Sequence, residues 1–267
     1  MDLTPPPRLH VLTATQSDNA VILRRGPSAQ VAALSWDRRR NKVELGQWID
    51  GRIHEYRCDL SPDGKHLVYF ACHGSRCWTA VSRTPWLAAI AFWPQADSWF
   101  GGGAFTDEGA LWRNGAAAED HLPDGLVPAP IDAYPQSTDG FHMGDLAASR
   151  LERRGWNRIE GARYETVLQL ELSSGFALRQ SFSLGRKNRA MISSSYALIA
   201  PGEENIADLN GWEWADFFEN KIQWAEKGAI WQAKISREAG LVERHLVYDL
   251  TPMRFEAIKA PYTGVEQ

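Results

Sequence analysis

Short apolar runs, some alternating with polar residues and others set between turn residues, recur along this chain at spacings suited to strands. The clearest stretch lies between residues 58 and 112. Ser61-Pro62-Asp63-Gly64 reads as a tight turn: Pro62 sets φ at the second position, and Gly64 takes the positive φ that comes next. Residues 65–71, KHLVYFA, then give a strand rich in β-branched and aromatic side chains. Residues 87–93 form another apolar run, closed by Pro94.

The same punctuation extends in both directions. Strands are predicted at 8–15, 20–23, 30–36 and 43–49, with turns at 16–19, Gly26-Pro27 and 37–41 between them. A second group covers 52–60, 65–71 and 77–83, and a third covers 87–93, 98–105 and 110–113. Gly101-Gly102-Gly103 interrupts the third group and predicts a bulge or a close backbone approach. From 114 to 161 the pattern breaks, with Pro123, Pro128, Pro130 and Pro135 in quick succession, which predicts one long insertion into a single domain of residues 1–267. A short helix is predicted inside it at 145–154, with Asp145 near its start, arginines in its last turn and Gly155 as its stop. Leu146 and Leu151 give that helix little apolar face. Strands resume at 162–172, 176–184 and 190–199, then at 212–218, 221–226, 229–235 and 242–250, with a closing segment at 255–260.

Four short strands in about 45 residues is the size of one propeller blade. The chain is therefore expected to be all-β: a β-propeller of about five blades, with boundaries near residues 50, 85, 160 and 205. A two-sheet β-sandwich is the alternative, since it too has many short strands with turns at similar spacing. Ser61-Pro62-Asp63-Gly64-Lys65-His66-Leu67-Val68-Tyr69 resembles the inter-strand turn of blades in the WD40 and TolB-like repeat superfamily. Residues 215–233, with their IQWAEKGAIWQA core, resemble a later blade of the same class. The arrangement as a whole is similar to uncharacterised bacterial propeller-like proteins, a resemblance that brings no activity with it.

Charge narrows the partners. A net charge of −4 gives no general attraction to phosphate, and no nucleic acid is expected. The one dense basic cluster, Arg38-Arg39-Arg40 with Lys42, falls in a predicted turn and reads as solvated. Twelve tryptophans, spread along the chain, suit the wedge between packed sheets. Residues 1–7 have neither the basic nor the apolar region of a signal peptide, and no apolar run approaches the ~20 residues of a membrane helix. Three cysteines, an odd number, read as free thiols in a reducing cytoplasm.

The sequence offers few candidates for chemistry. Cys72 and Cys77, with His73 between them and Cys58, His54 and His66 nearby, hold enough donors for a zinc ion. The position of Cys58 and Cys72 in or beside apolar strands favours buried thiols instead, so no metal or cofactor is expected. Serine-hydrolase, zincin and P-loop motifs do not occur. Asp59, Asp97, Glu213 and Asp216 are strand-associated carboxylates that a glycoside hydrolase would need in a pair. None sits in a hydrolase motif, and no catalytic residue is assigned. The expected function is a non-catalytic scaffold or protein-interaction module that docks another protein across its loops. Its contact region would be 114–161, with Trp99, Phe100, Phe141 and Trp156 as aromatic anchors. The alternative is a carbohydrate-active enzyme or a lectin-like binder of a small ligand, and three carboxylates gathered in a central channel would favour the enzyme.

Overall fold

The computed structural model describes residues 5–115, 122–135, 143–162, 165–173, 175–184, 192–202, 205–236 and 238–265. They are 54% strand and 7% helix. The first sheet is a meander of β1 (Arg8–Thr13), β2 (Asn19–Arg25), β3 (Gln30–Asp37) and β4 (Lys42–Asp50). In the second, β5 (Arg52–Ile53) and β6 (Asp59–Leu60) share one edge of β7 (His66–His73), succeeded by β8 (Arg76–Arg83) and β9 (Ala89–Gln95). β10 (Gly103–Phe105) and β11 (Leu111–Arg113) pair with each other, and α1 (Met143–Glu152) comes next. The third large sheet runs β12 (Asn157–Ala162), β13 (Glu165–Glu171), β14 (Ala177–Leu184), β15 (Ile192–Ile199) and β16 (Asn205–Asp208). The last comprises β17 (Trp212–Phe218), β18 (Lys221–Glu226), β19 (Ala229–Ser236) and β20 (Gly240–Asp249).

The four large sheets stand as the blades of a propeller. Four blades replace the expected five, and the strands do not gather into a two-sheet sandwich. The reason lies between residues 87 and 113. β9 pairs with β8 and completes the second blade, which leaves too few strand residues before 113 to build another. The three glycines are used for close approach: a Cβ on Gly101 would meet the Phe70 ring at 2.6 Å, and one on Gly102 the Arg57 carbonyl at 2.5 Å. Among the described residues the chain then makes only the β10–β11 pair, extended by a parallel bridge from Leu111 to Pro128. The segment expected at 255–260 joins no sheet.

Aromatic rings join the blades. Trp36 of β3 meets Trp214 of β17 edge-on at 6.0 Å, within one core that combines the first and last blades. In the last blade Trp212 of β17 stacks on Trp224 of β18 at 4.5 Å, and Tyr196 of β15 meets Trp212 at 6.5 Å across the join to the third blade. Arg38 belongs to the join of the first and last blades, contrary to its reading as part of a solvated turn. Only 6% exposed, it donates from Nε to Gln223 Oε1 (2.8 Å), pairs with Asp216 (3.0 Å) and lies 4.4 Å from the Phe218 ring. Arg39 and Arg40 stay at the surface.

The cysteines also depart from expectation. Cys72 and Cys77 face each other across the β7–β8 hairpin, with Cα atoms 4.1 Å apart, and form a disulfide. Only Cys58 is a free buried thiol. Because such bonds belong to oxidising compartments, the cysteines no longer argue for a reducing one. Among the described residues no helix is long and apolar enough to cross a membrane.

The described parts of 114–161 pack against the body. The Tyr134 hydroxyl donates to the Phe105 carbonyl (2.6 Å), and Trp112 Nε1 donates to the Ile131 carbonyl (2.9 Å). Leu146, Ala147 and Ala148 of α1 are buried. Gly155, at φ +86°, ends the turn after this helix, and its N–H reaches the Glu152 carbonyl. Past β20 the chain crosses from the last blade over the first to the second. Arg24 holds the Leu250 and Met253 carbonyls, Phe255 meets Trp48, and the Val265 N–H donates to the Ala89 carbonyl (2.7 Å).

Candidate functional site

Of the four aromatic anchors expected from sequence, the three among the described residues do not converge. Trp156 is 3% exposed and packs in the core shared by α1 and the last two blades, so no partner reaches it. Phe141 lies outside the described residues. Trp99 and Phe100 are neighbours on one loop, 54% and 38% exposed. That loop is fastened from below. Arg57, stacked on the Phe70 ring at 5.0 Å, donates from Nη1 to the carbonyls of Ser98 (2.7 Å) and Phe100 (3.0 Å). Asp97 Oδ1 accepts the Trp99 N–H (2.8 Å), and the Gly102 N–H donates to Thr79 Oγ1 (2.8 Å). The glycine run therefore spends its amide on the scaffold rather than on an anion nest. Burial pushes Arg57 down to about 10, so it stays charged at neutral pH.

A second feature lies where the blades meet. Residues from all four blades and from α1 line a cavity of about 60 Å³. Three of the four carboxylates picked out in the sequence face it: Asp59, Glu213 and Asp216. Each is already engaged. Asp59 accepts from the Phe105 N–H (2.9 Å) and from Arg154 (3.1 Å), Asp216 pairs with Arg38, and Glu213 accepts the Leu9 N–H (2.6 Å). Burial raises the Glu213 carboxyl above the ordinary range, against the Leu9 N–H and Arg8, which lower it. His10 is pushed down to about 3 by burial and by Arg150, Arg25 and Arg8, so it is neutral. A glycosidase needs an acid and a base or nucleophile free to face a sugar. Here the carboxylates are committed to internal partners, and the volume suits a few waters rather than a sugar ring.

Sequence reasoning missed the cations of this cavity, Arg150 and Arg154. Arg154 ties the end of β1 to β6, donating to the Thr13 carbonyl (2.9 Å) as well as to Asp59. Arg150 is buried, and its Nε and Nη1 reach no acceptor. The signal was a spacing of four: Leu146, Arg150 and Arg154 fall on one helical face. The proposed zinc donors are dispersed. Cys72 and Cys77 are oxidised, His66 sits 3.4 Å from Asp124, and the Cys58 thiol donates to the His54 carbonyl (3.2 Å). Among the described residues no three His, Cys, Asp or Glu side chains are grouped to hold a metal.

These features define a class: an all-β chain of four propeller-like blades, with a fastened aromatic loop on its surface and a charged cavity where the blades meet. No family model matches the chain, and no curated protein matches it. Among solved structures it is similar to the uncharacterised protein lmo1340 from Listeria monocytogenes EGD-e, at 10% identity and a TM-score of 0.32, covering 94% of this chain and 85% of that one. It is also similar to prolyl oligopeptidase B from Galerina marginata, at 10% identity and a TM-score of 0.33, covering 91% of this chain and 50% of that one. At those scores neither likeness carries an argument about function.

Proposed function

We propose that this chain is a non-catalytic scaffold that binds another protein, with the loop at 96–102 as its contact surface. The observation that carries this reading is Trp99, a large apolar ring half in solvent on a loop whose backbone Arg57, Asp97 and Thr79 hold in place. An anchor that is already ordered forfeits little conformational freedom on binding. Tryptophan is also the residue type most enriched among interface positions that dominate affinity. Phe100, beside it, widens the same patch. The propeller arrangement supports display, since loops on a rigid frame present side chains in fixed positions.

Affinity capture from the native cell tests this, using the wild type and a Trp99→Ala/Phe100→Ala double variant. Loss of an anchor costs about 2 kcal/mol or more, which weakens binding about 30-fold. A partner retained by the wild type should be lost from the variant, with the melting temperature unchanged because both rings sit at the surface. Identical captured proteins from both baits would overturn the reading.

A further inference from the structure

Arg150 has no ion-pair partner of its own among the described residues. It is 6% exposed, and a guanidinium keeps its proton inside proteins. Burying such a cation without a partner is strongly unfavourable. Yet its Nε and Nη1 reach no acceptor, and no carboxylate among the described residues pairs with it. The charges around it are spent elsewhere. Asp59 is held by Arg154 and the Phe105 N–H, and Asp216 is held by Arg38. Glu213 accepts the Leu9 N–H and pairs with Arg8 (3.7 Å), and His10 is neutral. A positive charge with no carboxylate of its own among the described residues, attracted by the Asp59 that Arg154 already holds, therefore faces a cavity of about 60 Å³, a volume that fits a small anion.

We propose that this cavity binds a small oxyanion, a carboxylate or phosphate no larger than acetate or inorganic phosphate, with Arg150 as its anchoring cation. Guanidinium is the side chain best shaped for such ligands, because its fixed fork of donors matches two oxygens at once. His10 adds a neutral ring at the same wall.

The test monitors thermal unfolding while chloride is exchanged for acetate, or for phosphate, at constant ionic strength. A ligand that binds only the folded chain raises its melting temperature by about 5 °C at a hundredfold excess over Kd. The wild type should show such a rise, and the arm that gives it identifies the class of anion. Arg150→Met should abolish the response, whereas Trp99→Ala should keep it, which separates this site from the aromatic loop. Indifference to both anions, or an equal rise in the wild type and Arg150→Met, would overturn the proposal. If Arg150→Met does not fold, the arginine Nε–H resonances of the wild type decide the matter. One buried signal must move saturably with acetate or phosphate, and the proposal falls if none does.

Discussion

Arg38 and Arg150 are both buried guanidiniums, and the chain treats them in opposite ways. Arg38 has a carboxylate, an amide oxygen and aromatic faces around it, whereas Arg150 has no carboxylate to itself among the described residues. The position of Arg38 was legible in part. Successive strand residues alternate in direction, so residue 38 shares the face of Trp36, but two further arginines beside it disguised the one that turns inward. His10 makes these surroundings measurable. Its folded pKa is about 3 against an unfolded value of 6.5, so the unfolded chain binds the proton first. That contribution to stability is complete above about pH 6.5 and drains away as pH falls toward 3. His54, pushed down to about 4 by burial and by Arg52, Arg57 and Arg25, acts with the same sign. The melting temperature should therefore drop between about pH 7.5 and pH 5, where histidine titrates. His10→Gln should trace a visibly shallower curve. Parallel curves for the two proteins would show that His10 is not held neutral.

At the scale of elements, turn chemistry told most and closure told least. The hairpin turns at 16–19, 61–64 and 219–220, and the stop at Gly155, could be read because Gly, Pro, Asn and Asp mark them. β12 was missed because its sequence, NRIEGA, offers one large apolar residue, Ile159, and that side chain is exposed. β16 was missed because four residues after Pro201-Gly202 are too few to show alternation. The proline-rich stretch at 122–135 illustrates a different limit, since composition cannot tell a solvated loop from one that packs. Two single substitutions separate its faces. Tyr134→Ala removes a buried ring and the hydrogen bond to the Phe105 carbonyl, and should lower unfolding stability by about 3–5 kcal/mol in urea. Ile131→Ala, at an exposed side chain, should change it by about 0.5 kcal/mol or less. Equal small effects would mean that the stretch contributes nothing to the core.

At the scale of the molecule, strand spacing announced blades but could not count them. The number that closes a ring depends on the wedge between sheets, and here aromatic side chains from different blades form that wedge. Every large sheet is built from one continuous piece of chain, and among the described residues no ladder joins the first blade to the last. Those two blades meet through side chains, through Glu213 on the Leu9 N–H, and through the tail that Arg24 grips. The molecule can thus open along that seam without breaking a strand-to-strand hydrogen bond. Local pairing lowers contact order, so individual blades should form early and the seam should close last. Hydrogen exchange under native conditions would then find two populations. Amides in the interior strands β3 and β18 should exchange only with global unfolding, and those of the tail near Val265 at far lower free energy. The seam is where the ring begins and ends in time as well as in space, a latch whose release leaves four folded leaves intact.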